Sequence, residues 1–279
     1  MVATVIIPAY DEERVLGSTL QALLDGLPEA VQVVVVCNGC TDRTAEVARR
    51  CGPPVEVLEV EVASKVGALN AGDAVARSFP RIYLDADVRI SGLQMQRVIA
   101  ALSAPGALAA EPKAQMDTSK STLWVKAYYA VLQALHGREP GDVGCGLYAL
   151  SQAGRSRFAE FPQVISDDGF VRAHFAPGEI IDVKDAHTVI ETPRNLSSLI
   201  TIKARSRLGV LELTRKYPEL WARKRSATRS FLAKTLRVPL RLWPLFPIYL
   251  TVQASARRRA RRIADNLEGY RWERDQSTR

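Results

Sequence analysis

Two aspartates one residue apart, Asp85 and Asp87, close an apolar run in IYLDADV, residues 82 to 88. On an extended strand these two side chains leave from the same side. Two carboxylates leaving together are costly unless a cation or a set of donors satisfies them. A hard divalent ion is the natural partner, and Mg²⁺ typically uses one or two carboxylates plus phosphate oxygens. The pair would then hold its ion tightly only when a diphosphate arrives. The competing reading is a solvated turn carrying two acids.

Three other stretches carry chemical potential. PAYDEE, residues 8 to 13, follows an apolar run, and Tyr10 offers a flat face with a polar edge that suits a heterocycle. Its acids also suit a helix start, with Asp11 as cap and Glu12 and Glu13 at the positive end. SDDGF, residues 166 to 170, reads the same way, with Ser166 as cap ahead of Asp167 and Asp168. CNGC, residues 37 to 40, is a single CxxC without a nearby His, which leaves zinc or redox use weakly supported. Thr41, Asp42 and Thr44 more simply open the next helix. His187 stands alone, the usual mark of a structural histidine.

The elements that must position these residues alternate. VATVII, VQVVVVC, VEVLEV and RIYLDAD read as strands, separated by helical stretches from about Glu12 to Leu24, at TDRTAEVARR, and from Lys65 to Ser78. Such alternation predicts an α/β fold, a mostly parallel sheet with right-handed crossovers and helices on both faces. Ligands bind at the carboxyl ends of strands in such sheets, and PAYDEE, NGCTD and DAD all fall there. Further on, SGLQMQRVIAALS reads as an amphipathic helix and ALAAEP as a short strand. STLWVKAYYAVLQALH reads as a helix with Trp124, Tyr128, Tyr129 and Leu132 along one side, GDVGCGLYALS as a glycine-opened strand, and SDDGFVRAHF as a short helix. From Asn195 onward the chain reads as mainly helical and basic.

With 279 residues, 47% hydrophobic and 24% charged, the chain is globular in composition. Its length suits one catalytic domain with an appendage. Charge is unevenly distributed: residues 199–279 hold 20 Lys and Arg against 6 Asp and Glu, and residues 1–198 hold 18 against 24. An acidic body with a basic tail follows. Four cysteines without a framework suit a reducing compartment, so a cytoplasmic location is expected. The N-terminus has no room for a cleavable signal before Pro8, and no run of about 18 uncharged apolar residues predicts a spanning helix.

Taken together, DAD, with ALNAG, VVVVCNGCTDRT and VIIPAYDEE ahead of it in order and spacing, resembles the nucleotide-sugar-binding half of glycosyltransferase family 2 in its GT-A fold, over about residues 1 to 215. The resemblance implies a catalytic domain over 1–198, with a Rossmann-like nucleotide-sugar half at 1–90 and an acceptor side at 91–198, followed by a basic helical region at 199–279. It implies that Asp85 and Asp87 flank Ala86 at the nucleotide, with Asp85 nearer the ribose and uracil and Asp87 binding Mg²⁺ or Mn²⁺. Pro8, Ala9 and Tyr10 would wall the base, and Glu12 would accept a ribose hydroxyl. Asn38 departs from the family's aspartate and offers the base's imide an uncharged amide oxygen. Lys65 would meet phosphate or carboxylate, and Asn70 would brace neighbouring loops. SDDGF resembles the segment carrying the catalytic base, with Asp168 as base and Asp167 beside it. In KARSRLG, residues 203 to 209, Leu208 stands where the family often has Trp, which weakens the case for Arg205 or Arg207 on the diphosphate.

The resulting expectation is an inverting, metal-dependent transfer of a sugar from a UDP-linked donor to a glycan, lipid-linked or small-molecule acceptor, in cell-envelope or exopolysaccharide synthesis. A metal-dependent nucleotidyltransferase is the rival enzyme, although PAYDEE lacks its glycine-rich loop. A non-enzymatic membrane-surface binding protein is the third reading. The tail interleaves cations with Trp221, Phe231, Trp243, Phe246 and Tyr249, a composition suited to an anionic membrane at the inner face, or to packing on the body. Without a recognised module and with an acidic body, nucleic acid is not an expected partner.

Overall fold

The computed structural model describes residues 2–136, 145–176, 178–225, 235 and 238–264; GDVG at 141–144, SATRS at 226–230, Phe231 and the tail beyond Ala264 lie outside them. The elements run β1 (Ala3–Ala9), α1 (Leu16–Leu24), β2 (Val31–Asn38), α2 (Thr44–Arg49), β3 (Val55–Val60), α3 (Lys65–Val75), β4 (Arg81–Leu84), β5 (Val88–Arg89), α4 (Gly92–Ala101), β6 (Ala109–Asp117), α5 (Leu123–His136), β7 (Leu147–Leu150) and α6 (Gln152–Arg155). There follow α7 (Asp167–Ala173), β8 (Ile180–Glu191), α8 (Leu196–Lys216), α9 (Pro218–Arg225), a 3-10 turn (Leu240–Leu245) and α10 (Phe246–Ala264).

Eight strands form one sheet in the order β3-β2-β1-β4-β7-β6-β8-β5. β3, β2, β1 and β4 are parallel, while β7 runs antiparallel to β4 and to β6, and β5 antiparallel to β8. Every residue of β1 and β2 is buried, as expected of parallel strands covered on both faces. Val5, Ile7, Val33 and Val35 share one core with Leu16, Leu20 and Leu23 of α1 and with Met95 and Val98 of α4. On the opposite face α3 lies so close that a Cβ on Gly72 would stand 2.4 Å from Ile6 Cγ2, so this contact needs glycine. Pro8, which has no N–H to donate, sits beyond the last β1–β4 pair, Ile6↔Tyr83.

Several polar groups in this core pair with one another. Thr4 donates to Gln32 Oε1 (3.1 Å), and Gln32 Nε2 donates to Glu56 (3.1 Å). Asp73 of α3, 8% exposed, accepts from the Tyr83 hydroxyl (2.7 Å), Arg81 Nη1 (2.8 Å) and Arg155 Nε (2.7 Å). Buried charge of this kind is tolerated only when paired and hydrogen-bonded.

By packing, the chain divides into two compact units. One comprises Met1–Gln115, Gly144–Gln163 and His174–Ile190; the other comprises Met116–Val143, Val164–Ala173 and Glu191–Arg279. The first holds the sheet. In the second, α5, α8 and α10 enclose Tyr128, Tyr129, Leu199, Tyr249 and Val252, with the Tyr128 and Tyr249 rings stacked at 5.3 Å. Ala204, Ala256 and Ala260 let α8 and α10 approach closely farther along. Pro244 lies inside the 3-10 turn and Pro247 in the first turn of α10, where the missing N–H is tolerated. Among the described residues no helix is long and apolar enough to cross a membrane.

Several expectations need correction. α1 begins at Leu16 rather than near Glu12, with no acid in its first turn and no side-chain cap, because Asp11 and its neighbours bond to the next loop instead. Trp124 is 59% exposed while Tyr128, Tyr129 and Leu132 are buried, so the aromatic stripe of α5 begins after its first turn. The twelve residues of β8 had no place in the reading of the sequence.

Candidate functional site

At its carboxyl end β4 stops at Leu84, and residues 85–88 form a turn closed by the Val88 N–H on the Asp85 carbonyl (3.1 Å). Asp85 and Asp87 therefore belong to a turn, and the expectation that strand alternation aligns them is corrected. Asp85 Oδ1 meets Lys65 Nζ at 2.7 Å, Ala86 is buried, and Asp87 is exposed. The Lys65 ammonium, at the start of α3, is thus a fixed positive charge beside the turn.

The turn is held from behind. The Asp85 N–H donates to the Gly146 carbonyl (2.9 Å), and Gly146 adopts φ +63°, where a Cβ would stand 2.5 Å from Val88 Cγ2. Thr188 of β8 donates to the neighbouring Cys145 carbonyl (2.7 Å). Gly146 and Thr188 are positioning residues that the sequence reading missed. The glycine in GDVGCGLY was a usable signal; Thr188 had none, because its partner lies 43 residues away.

Asn38, at the end of β2, is buried and ties two loops together. Its Nδ2 donates to the Ala9 carbonyl (2.7 Å), and its Oδ1 accepts from the Ser64 N–H (3.1 Å). Ser64 in turn caps α3 through the Gly67 N–H (3.1 Å). A contact chain thus runs from the Pro8–Ala9–Tyr10 loop through Asn38 and Ser64 to Lys65 and Asp85. Asn70 braces as expected, bonding reciprocally to Phe161 (3.0 and 2.9 Å).

The loop after β1 docks on the loop after β2. Asp11, at φ 48°, accepts from the Thr41 N–H (2.6 Å); the Glu12 N–H donates to Thr44 Oγ1 (2.7 Å), and the Glu13 N–H donates to Asp42 (3.1 Å). Tyr10 is part-buried and Glu12 buried. Asp42 also accepts from the Thr44 N–H (2.9 Å), the expected role of a helix-opening acid. Cys40 accepts a hydrogen bond from the Cys37 thiol, which lowers its pKa to about 7 and pushes Cys37 up. All four cysteines are free.

In the helical unit, Ser166 caps α7 through the Gly169 N–H (3.2 Å), and its hydroxyl donates to Asp168 Oδ1 (2.6 Å). Asp167 is 4% exposed and Asp168 is exposed. Capping and an outward carboxylate coexist here. A Cβ on Gly209 of α8 would stand 2.8 Å from Ser166 Cβ, so α8 packs on this segment through the face that also carries Arg205, one turn earlier. Arg207 points elsewhere, to Gln253 (2.5 Å). His187 bonds to Gln94 (2.8 Å).

A hard divalent ion fits the 85–87 turn by donor chemistry, since Asp85 and exposed Asp87 supply carboxylate oxygens that diphosphate oxygens complement. Among the described residues, Asp11, Cys40 and Asp42 bring three ligand atoms within 4.8 Å of one another, but backbone N–H groups occupy both carboxylates.

The model of glycosyl transferase family 2 matches residues 4–149, just over half the chain. A search of curated proteins finds no match. Among solved structures, the mannosyltransferase PcManGT from Pyrobaculum calidifontis, in complex with GDP-Man and Mn²⁺, shares 18% identity with a TM-score of 0.58, over 95% of this chain and 79% of that one. TarS 1–349 from S. aureus shares 15% identity at TM-score 0.54, over 98% and 93%. Glucosyl-3-phosphoglycerate synthase from Mycobacterium tuberculosis, with Mn²⁺, UDP-glucose and phosphoglyceric acid, shares 20% at 0.52, over 76% and 78%. These likenesses show the GT-A fold, and the matched span contains the PAYDEE, CNGC, ALNAG and DAD stretches; the chain belongs to glycosyl transferase family 2.

Proposed function

We propose that the protein is an inverting glycosyltransferase that moves a sugar from a UDP-linked donor to an acceptor hydroxyl. The observation that carries this reading is the knitting together of the strand-end loops through Asn38, Ser64 and the Lys65–Asp85 pair, at the place where parallel sheets bind ligands. Pro8, Ala9 and Tyr10 wall the base, Glu12 accepts a ribose hydroxyl, and Asn38 and Ala86 complete the nucleotide side. Lys65 holds Asp85 and faces the diphosphate with a cation. Asp87, with Asp85, would hold Mg²⁺ or Mn²⁺, which when bound neutralises the leaving diphosphate.

Asp168 is the base. As the acceptor oxygen bonds to the anomeric carbon, the bond to the diphosphate breaks on the opposite face and the hydroxyl proton passes to this carboxylate, aided by Asp167 as its buried neighbour. Since the leaving group is already good, the base needs position more than a raised pKa. Support for a uridine donor and a metal comes from the neighbours: TarS was solved with UDP-GlcNAc and the phosphoglycerate synthase with UDP-glucose and Mn²⁺. The acceptor belongs to cell-envelope or exopolysaccharide synthesis and is met at an anionic membrane surface, a reading supported by Leu240, Trp243 and Leu250, which are 79, 44 and 51% exposed in a segment that also carries Arg241.

Calorimetry with UDP, with and without Mn²⁺, tests the site. Metal-dependent binding that disappears in Asp87→Ala is expected; metal-independent binding unchanged in that variant would overturn it. Trp243→Ser is expected to reduce co-sedimentation with phosphatidylglycerol vesicles, and unchanged sedimentation would remove the membrane contact.

A further inference from the structure

The helical unit contains a cation cluster that the transfer reaction does not use. Lys203 and Arg207 lie four residues apart on α8, a spacing at which like charges repel, and both are part-buried. The Lys203 ammonium stands 5.8 Å from the Tyr128 ring centroid and 5.6 Å from that of Tyr129, within cation–π range. Arg207 donates to Gln253 Oε1 (2.5 Å), and Gln253 Nε2 donates to the Tyr128 hydroxyl (3.2 Å), so α8, α10 and α5 are joined behind the cations. Arg257 of α10, exposed, adds a third positive charge close enough to oppose that of Arg207.

None of the three forms an ion pair with a carboxylate among the described residues. The strain is electrostatic: burial, then Arg207, lowers the Lys203 pKa to about 8, and burial, then Arg257, lowers that of Arg207. A fold that holds the Lys203 ammonium over two tyrosine rings, with Arg207 and Arg257 as its cationic neighbours, supplies among the described residues no counter-charge of the kind that such burial normally requires. A multiply charged anion would supply it, and two guanidinium groups with an ammonium suit phosphate oxygens in geometry and in charge.

We propose that Lys203, Arg207 and Arg257 form an anion site on the helical unit that takes a phosphate or diphosphate group, either soluble or on a lipid. The site lies on the side of α8 turned to α10 and α5 rather than on the Gly209 side that meets Ser166, and it stands without the donor reading, so it is tested in metal-free buffer without nucleotide, in the Asp87→Ala background.

Inorganic pyrophosphate is expected to raise the unfolding midpoint of the full chain. Lys203→Met and Arg257→Gln should each weaken its binding about tenfold, the loss of one charge-assisted hydrogen bond. Arg257 is exposed, so its variant tests the site even if the Lys203 variant folds poorly. Sedimentation with equimolar phosphatidylcholine–phosphatidylglycerol vesicles, against phosphatidylcholine alone, identifies the source. Reduced pelleting of Lys203→Met assigns the site to a lipid phosphate; unchanged pelleting with a lost pyrophosphate response assigns it to a soluble one. If both variants respond to pyrophosphate and to vesicles as the parent does, or the parent responds to neither, no such site exists.

Discussion

The sheet unit and the helical unit treat charge in opposite ways. In the sheet unit Asp73 is met by Arg81 and Arg155, Asp85 by Lys65, Glu56 by Arg77 and Arg157 by Glu179. In the helical unit Lys216 finds Glu212 and Lys120 finds Glu191, yet among the described residues Lys203, Arg207 and Arg257 form no ion pair with an acid. With 6 acids against 20 cations over residues 199–279, the C-terminal segment cannot neutralise itself. The contrast teaches that buried and half-buried acids of the sheet unit are neutralised by nearby cations, whereas the helical unit gathers cations whose counter-charge the proposed anion site would supply.

The largest effect should separate binding from chemistry. Asp168→Asn is expected to lower turnover about 10²- to 10⁴-fold while leaving UDP affinity unchanged; a matching loss of UDP binding would break the proposed division between donor binding by the sheet unit and base catalysis by the helical unit. Next comes Asp73→Ala, which strands Arg81 and Arg155, both largely buried. Urea unfolding should show a loss of about 3–5 kcal/mol, and a neutral result would deny that internal pairing sustains the sheet unit.

Gly146→Ala should cost about 1–3 kcal/mol through its positive φ and the contact with Val88. It should also weaken metal-dependent UDP binding by displacing the Asp85 turn, read by calorimetry beside the unfolding curve. The smallest effect sharpens the contrast from the other side. With a folded-state pKa of about 8 against 10.5, Lys203 is charged in both states at pH 7 and its penalty is fully present. As pH rises from about 8 toward 10.5 the folded chain releases this proton while the unfolded chain retains it, and the penalty fades. Burial raises the pKa of the neighbouring Tyr128 and Tyr249 hydroxyls. Lys203→Met should therefore be more stable than the parent by about 1 kcal/mol at pH 7 in phosphate-free buffer, an advantage that shrinks across that window in pH-dependent unfolding.

Much of the site was legible before any coordinates. Apolar runs covered on both faces marked β1 and β2, and the donor-side motifs fall where chain order put them: Pro8, Ala9 and Asn38 at the ends of β1 and β2, the DAD turn after β4, and Lys65 at the start of α3. Lys65 and Asn70 behave as their positions at and inside a helix implied. Less legible were roles that depend on partners distant in sequence: Asp11 looked like a helix cap and instead accepts from Thr41, 30 residues away. The antiparallel half of the sheet was obscured because β8 carries Asp182, Lys184, Asp185 and His187 among its apolar residues and offers no clean alternation.

By itself the sequence determined the parallel strands, the family and the identity of the acids, because continuous apolar runs and strand-end motifs are local properties. Only the tertiary structure decided that Asp85 and Asp87 occupy a turn rather than one strand face, that Gly146 and Thr188 hold that turn, and that Lys203 rests on the tyrosines of α5. Those outcomes depend on which distant segments meet, and pairing across tens of residues is settled by packing and charge compensation rather than by local pattern.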